Sequence, residues 1–401
     1  MRAKFYDVAV IGSGPAGSRM AYKLARMGYE VVVLEGKERL EEPVCCTGII
    51  SQDCVNSFGI DEGVIVRRVN SAKIFSPSGK LLNLCSQQVQ ACIVDRAAFN
   101  ATLASQAEDS GVQYVLNCKV RDIEIEDGRV IVKVDCRGGK LSAFEAKAAV
   151  IATGFGSKLP EQVGLGKTGD FVMGAQTEVE TAGVDEVEVY LGQEIAPGFF
   201  AWLVPTLPRR ALLGLLARHS PGLHLKKLLS ALLAQGKIVS SKVELRYGGV
   251  PLRPLARTYS ERLLVVGTAA GHVKPTTGGG IYYGLLCADI AASSLHQGLQ
   301  GDDFSAKNLA NYEKGWKRKL GRELSIGYRA RKLYEHLSDR QIDKIFDIIK
   351  SNGIDDALLK AKDLSFDWHG GIVLKLLTHS MLSKAIGVAK VPFSSIEERL
   401  K

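Results

Sequence analysis

The sequence has no CxxC pair and no close cluster of cysteine and histidine. Its eight cysteines are scattered through 401 residues. That pattern argues against a structural metal site and predicts free thiols in a reducing cytosol. No apolar run reaches the roughly 18 residues that a membrane span needs. No zinc-finger or RNA-recognition signature is present, so the net charge of +9 does not point to nucleic acid. A modest basic excess instead favours anionic partners such as cofactor phosphates, lipid headgroups or an acidic donor protein. Repeats and low-complexity tracts are absent. The opening MRAKFYDVAVIGSG runs into a strand with no apolar leader, so the expectation is a cytoplasmic protein, soluble or peripheral at a membrane. Apolar residues make up 46% and charged residues 24%, a globular composition, and the length predicts two or three compact units.

The clearest positive signal is YDVAVIGSGPAGSRMAYKLARMGYEVVVLEG, near the N-terminus. Val8, Val10 and Ile11 lie in the short apolar run of a buried parallel strand. Gly12-x-Gly14-x-x-Gly17 follows at once. Ala21, Leu24, Ala25 and Met27 then give a helical stripe that Gly28 stops. Val31 to Leu34 form a second strand ending at Glu35. In such a turn Gly12 permits the bend, Gly14 lets backbone approach a pyrophosphate, and Gly17 lets helix and strand pack closely. The helix N-terminus faces the anion, and Glu35 is placed to accept from ribose hydroxyls. GLGKTG (Gly164 to Gly169) spells the same pattern but has Glu161 where a phosphate loop needs glycine. It lacks a strand before it and a helix after it, and reads as a loop at a domain crossover. The chain therefore has one dinucleotide site.

Two later segments complete a flavin pattern. KAAVIATG is a buried strand ending at Gly154. ERLLVVGTAAGHVKPTTGGGIYYGLLCADIAA is a strand, a glycine-rich loop and a long helix. Together they predict an α/β protein: a Rossmann-like FAD-binding domain whose distant segments return to the ribityl chain and ring. Gly278, Gly279, Gly280 and Ile281 open a helix whose amides can point at the flavin N1–C2=O edge and favour the reduced anion. CIVDRAAFNATLASQA reads as strand, turn and helix, with Asp95 at the helix start and Arg96 facing the cofactor phosphates or ribose, or simply solvent.

With those motifs, the chain resembles the geranylgeranyl reductase family, within the aromatic-hydroxylase-like FAD proteins. The resemblance covers nearly the whole chain. It rests on Pro43-x-x-Cys46-x-Gly48, VDRAAF, FAWLVP, GGVPLRP, GTAAGHVKPTTGGGI and the tail GRELSIGYRARKLYEHLSD. It implies FAD contacts at Ala16, Glu35, Cys46, Thr47, Arg96, Val120, Gly280 and Ile281, with Val120 offering its backbone to the adenine at the end of a third strand. It also places Cys46 beside the flavin, a tentative catalytic group, with Thr47 and Gly48 offering amides. A redox role with Cys45, or plain packing, stays open for the pair. Two departures stand out. The family's Gly-Asp-Ala is here Gly267-Thr268-Ala269, so an uncharged Thr268 takes the ribityl position. Its aromatic-x-Trp-x-Phe-Pro with a later Gly-x-Gly is here Phe200-x-Trp202-x-Val204-Pro205 with Gly214-Leu215-Leu216.

The alternating stretches 71–92 and 170–255 predict one antiparallel sheet over the flavin. Tyr190, Phe200, Trp202 and Pro205, with Leu203 or Val204, would wall a substrate cavity or form an ordinary aromatic core. The expected domains are 1–70, 93–160 and 255–300 for FAD, 71–92 and 161–254 for the substrate sheet, and a C-terminal helical region at 301–401. GGIVLKLLTHSMLSKAIGVAKV, with Lys375, Lys384 and Lys390 opposite an apolar stripe, would touch a membrane surface or dock on the body of the protein. The function this implies is saturation of polyprenyl C=C bonds by hydride from reduced flavin N5. Electrons would come from a transient donor, ferredoxin or NAD(P)H. The alternatives are an FAD monooxygenase or halogenase and a non-catalytic flavin or lipid carrier.

Overall fold

The computed structural model describes residues 4–136, 140–354 and 365–378. The chain opens with β1 (Phe5–Ile11), α1 (Pro15–Ala25) and β2 (Val31–Leu34). Next come β3 (Ile49–Ser51), α2 (Gln52–Phe58), β4 (Ile65–Val69), β5 (Ser71–Phe75), β6 (Leu81–Cys85) and β7 (Ala91–Val94). α3 (Arg96–Glu108) leads to β8 (Gln113–Val115), β9 (Cys118–Glu126), β10 (Arg129–Cys136), β11 (Lys140–Ile151) and α4 (Leu159–Gln162). A second β-rich stretch holds β12 (Phe171–Glu180), β13 (Val187–Leu191), β14 (Phe200–Pro205), β15 (Arg210–Ala217), α5 (Pro221–Ala234) and β16 (Arg246–Pro251). β17 (Tyr259–Ser260) and β18 (Leu263–Val265) precede the helices α6 (Ile281–Gly301), α7 (Ala306–Glu335), α8 (Asp339–Ser351) and α9 (Gly370–Thr378).

The strands form three sheets. In the first, β8-β2-β1-β11-β18 run parallel, β17 pairs antiparallel with β18, and β10 and β9 fold back from β11. β1 is covered on both faces, as its near-continuous apolar run predicts. Val8 and Val10 join the core made with α1, α6 and α7; Ala9 and Ile11 join the one made with β9 and β10. α7 is fastened to this domain by polar bonds: Tyr312 Oη donates to the Val265 carbonyl at 2.7 Å and Trp316 Nε1 to Thr258 Oγ1 at 2.9 Å. The second sheet has the order β16-β12-β15-β14-β13-β5-β6, and β3-β7-β4 make a small third one. No helix among the described residues is long and apolar enough to cross a membrane.

Two expectations change here, and a third falls partly outside the described residues. The second sheet is not wholly antiparallel: β5 and β13 run side by side in the same direction, Ala72 opposite Val187. From β5 the chain turns into β6, passes through the first sheet and re-enters the second at β12, so no hairpin joins β5 to β13. The thiols are not all free either. Cys118 and Cys136 are disulfide-bonded across the β9–β10 hairpin, while the other six cysteines are free. An Asp127-Gly128 turn sets that hairpin, and a bulge at Lys133/Val134 shifts the register by the one residue needed to bring the two cysteines opposite. Finally, the amphipathic C-terminal stretch is described only as α9, to Thr378; Lys384 and Lys390 lie outside the described residues.

The cross-link yields a direct test. Denatured, unreduced protein should titrate six thiols and reduced protein eight. Replacing Cys118 and Cys136 together by Ala should cost ~3 kcal/mol of unfolding free energy, the chain-entropy scale for a short closed loop. Eight thiols without reductant would contradict the pairing.

Candidate cofactor and substrate site

The glycine turn after β1 is forced by backbone contacts. Gly12 has φ +104°, and a Cβ there would stand 2.6 Å from the Ala152 carbonyl oxygen. A Cβ on Gly17 would collide with the carbonyl oxygen of Gly12. Gly14 caps α1 and has open space around it. Pro15 has no N–H, so the free first-turn amides are those of Ala16 and Gly17. Ala16 is buried, its methyl lying 2.9 Å from where a Cβ on Gly267 would be. This knits α1 to the turn before α6. Glu35 is already engaged: it accepts from Ser13 N–H at 2.8 Å, Ser13 Oγ at 2.6 Å and Lys37 N–H at 2.9 Å. A carboxylate has about four acceptor positions, so one is left for a further donor. Thr153, at the end of β11, has a buried hydroxyl with no partner among the described residues, and Gly154 follows with φ +75°.

Arg96 begins α3, capped by Asp95, which accepts from the amides of Ala97 and Ala98. Its alkyl chain lies on Gly48, whose φ is +72°. Its Nε and Nη1 are buried without a partner among the described residues. Unpaired buried donors are costly, so the Arg96 guanidinium beside Gly48 and the Thr153 hydroxyl beside Gly12 are groups a bound phosphate or ribose would satisfy. On this ground the residues fit a dinucleotide. Val120 is placed differently from expectation. It is the third residue of β9, opposite Val134, whereas the third parallel strand is β8. β9 begins beside Glu35, whose carbonyl accepts from Cys118 N–H.

The loop before α6 is held from both sides. Lys274 N–H donates to the Gly279 carbonyl and Gly278 N–H to the Lys274 carbonyl. Gly280 is the N-cap of α6 and Ile281 its first residue. Thr268 lies in a 3-10 turn, its hydroxyl 3.5 Å from where a Gly280 Cβ would be. Behind the loop runs the segment 365–370, which the sequence did not single out. Lys274 Nζ meets Asp367 Oδ1 at 2.8 Å, and Thr276 Oγ1 meets His369 Nδ1 at 2.6 Å. Tyr283 Oη donates to the Asp367 carbonyl. Glu323 accepts from the backbone N–H groups of His369 and Gly370, while burial pushes its carboxyl pKa up.

The second sheet turns one face to this loop. Strand alternation puts Phe200, Trp202 and Val204 on that face, with Leu216 and Gly214 beside them on β15 and Gln176 on β12. The Trp202 indole lies flat on Gly214, where a Cβ would stand 2.6 Å from the ring. A Cβ on Gly278 would meet Leu216 Cδ1 at 2.9 Å and Val250 at 3.7 Å. Leu216, which replaces the family's second glycine, is thus the side chain nearest Gly278 in the loop before α6. Val204, which replaces the family's phenylalanine, is fully buried against Ile93 of the small sheet. Tyr190 and Pro205 are not on this face. Tyr190 packs in the core with Ala201, Leu203 and α5, stacks on Phe75 at 5.1 Å, and is bonded to Glu188 and Lys237. Pro205 shares the parity of Ala201 and Leu203 on the α5 side.

The paired cysteines now separate. Cys45 lies on Gly248 of β16, its Cβ 3.2 Å from where a glycine Cβ would be, and burial pushes its thiol up to about 11. It is poorly suited to act as a thiolate. Cys46 is a half-buried free thiol. Its carbonyl accepts from Gln176 Nε2 at 3.3 Å, tying the Cys46–Gly48 loop to the sheet. Gln176 is 3% exposed; its Oε1 and Trp202 Nε1 are both buried without a partner among the described residues. An acceptor and a donor therefore stand on one largely apolar wall.

Comparison with known proteins follows this geometry. A family model described as "Lycopene cyclase protein" matches residues 7–348. The chain is 31% identical over 365 residues to a digeranylgeranylglycerophospholipid reductase of Methanocaldococcus jannaschii, covering 87% of this chain and 92% of that protein. Among solved structures, a geranylgeranyl bacteriochlorophyll reductase-like protein of Thermoplasma acidophilum superposes with a TM-score of 0.83 at 24% identity, covering 96% of this chain and all of that one. A halogenase solved in complex with FAD shares the fold at a TM-score of 0.66 and 14% identity, covering 96% of this chain and 85% of its own.

Two histidines near the loop make stability depend on pH. Burial lowers His369 to about 4 and His272 to about 3. Both are neutral in the folded protein, while the unfolded chain binds protons below about pH 6.5. Stability is therefore full above that value and is lost as pH falls toward 4. Between pH 7 and pH 5 each should contribute a loss of about 2 kcal/mol. In urea unfolding, His369→Gln should flatten the pH dependence by about that amount; an unchanged slope would contradict the burial of a neutral ring.

Proposed function

Because the chain belongs to the lycopene cyclase protein family and to that of the digeranylgeranylglycerophospholipid reductases, we propose that it is an FAD-dependent reductase that saturates C=C bonds of a polyprenyl lipid. The observation that carries this reading is a seam. The Cys46–Gly48 loop, through Gln176, and the Gly278–Gly280 loop, through Leu216, both meet the face that carries Trp202, and Ala16 of the glycine turn packs on Gly267 ahead of the second loop.

FAD, when bound and reduced, supplies a hydride. The amides of Ala16 and Gly17, the hydroxyl of Thr153, the guanidinium of Arg96 and the last acceptor position of Glu35 would hold its adenosine and phosphates. Thr268 and the amides at Gly279 to Ile281 would face its ribityl chain and ring. Phe200, Trp202 and Leu216 would keep an isoprenoid chain against the ring and exclude water, which the reaction needs because an unpolarised alkene offers no polar handle. Reduction also needs a proton at the second carbon. Cys46 remains the candidate side chain for it. A water held between Gln176 Oε1 and Trp202 Nε1 is the other source that this wall can accommodate. A redox partner must reload the cofactor; ferredoxin or NAD(P)H fits that role, and a polyprenyl substrate fits a protein that works at a membrane surface.

Arg96→Met should weaken FAD binding by about 1.5–3 kcal/mol, the scale of a charge-assisted hydrogen bond, or roughly tenfold to a hundredfold. Fluorescence titration of the apoprotein reads this directly. Trp202→Ala should keep its FAD yet lose about a hundredfold in rate, since a misplacement of about 1 Å is that costly. The assay is anaerobic reduction of geranylgeranyl lipids by the chemically reduced protein, followed as a mass gain of two hydrogens per bond. FAD-loaded protein that saturates no polyprenyl lipid, and makes product only with oxygen, would transfer the reading to a monooxygenase.

A further inference from the structure

Lys274 is 4% exposed and Asp367 1%. Their ion pair is closed at 2.8 Å, and Lys274 Nζ also donates to the Phe366 carbonyl at 2.9 Å. Asp367 Oδ2 is buried with no partner among the described residues. Taking two such charges out of water costs several kcal/mol per ion, and apolar residues of the same size often pack as well or better. Stability is therefore a weak reason for this pair.

Its location suggests another. The side chain of Lys274 runs beneath Gly279, with Cε 2.7 Å and Nζ 3.3 Å from where a Cβ would be. Gly279 and Gly280 lead into α6, a helix of 21 residues whose first-turn amides carry the positive end of its dipole. The ammonium stands behind that backbone, in a buried setting where its field is weakly screened. Asp367 holds it there from the segment 365–370. That segment is itself fixed by Tyr283, by Thr276 through His369, and by Glu323.

We propose that Lys274 is a positioning residue that raises the reduction potential of a flavin at the start of α6, with Asp367 holding its charge in place. The proposal rests on the FAD reading above and deepens it. Positive charge behind the helix start favours the reduced, negatively charged ring over the oxidised, neutral one.

The test is the two-electron potential, measured anaerobically against reference dyes in FAD-loaded protein. Lys274→Met leaves the carboxylate unpaired; Lys274→Met with Asp367→Asn removes both charges without orphaning either; Lys274→Arg keeps the charge. The two charge-removing variants should bind reduced FAD at least about tenfold more weakly relative to oxidised FAD, a drop of about 30 mV for a two-electron couple. Lys274→Arg should stay close to wild type. A folded double variant that binds FAD at the wild-type potential would overturn the proposal, as would an Arg variant that falls as far as Met. Wild-type protein that takes up no FAD would instead overturn the cofactor reading and this inference with it.

Discussion

The close approach of the 278–280 loop to the inner face of the second sheet is the constraint on which the site depends. Leu216 and Val250 press against Gly278, where no side chain could be accommodated without a shift. That contact fixes the distance between the two domains and hence the depth of any chamber between them. The other side of the seam is polar. Gln176 ties the Cys46–Gly48 loop to the same face through one hydrogen bond. An apolar contact and a hydrogen bond from a side-chain amide, on neighbouring rows of one sheet, thus set both loops relative to Trp202.

What the sequence revealed depends on how local each signal is. Gly12, Gly17 and Glu35 belong to one strand–turn–helix–strand unit, so their spacing alone placed them together at the turn. Asp95 and Arg96 were legible for the same reason, as a helix start. Phe200 and Trp202 share strand parity, and the resemblance marked both. Pro205 was misplaced although alternation along β14 separates it from Trp202 by an odd number of residues. Tyr190 needed more than parity: its face follows from its pairing with Ala201, and no local pattern gives a register between strands. Cys118 and Cys136 flank a visible Asp-Gly turn, but an even hairpin count misses the match by one residue because the bulge cannot be read from the sequence.

Gln176, Lys274 and Asp367 had no signal of this kind. Each is a polar side chain whose partner lies far along the chain, in another domain or in the segment 365–370. Thr153 was visible only as part of a strand end. The charges at the site therefore have two origins: Glu35 and Arg96 come with the motifs, whereas Lys274 and Asp367 are brought together only by the fold.

The parallel pairing of β5 with β13 bears on how the molecule can be built or taken apart. β5 and β6 are made early, yet their partner strand arrives only after β7 to β12 have been laid down. The second sheet is thus unfinished until the chain has passed through the first domain and returned. Such non-local pairing slows folding, because loop closure must precede any gain from contact. It also means that neither half can be excised as one continuous piece of gene: a cut that frees the chamber wall leaves its edge strands behind.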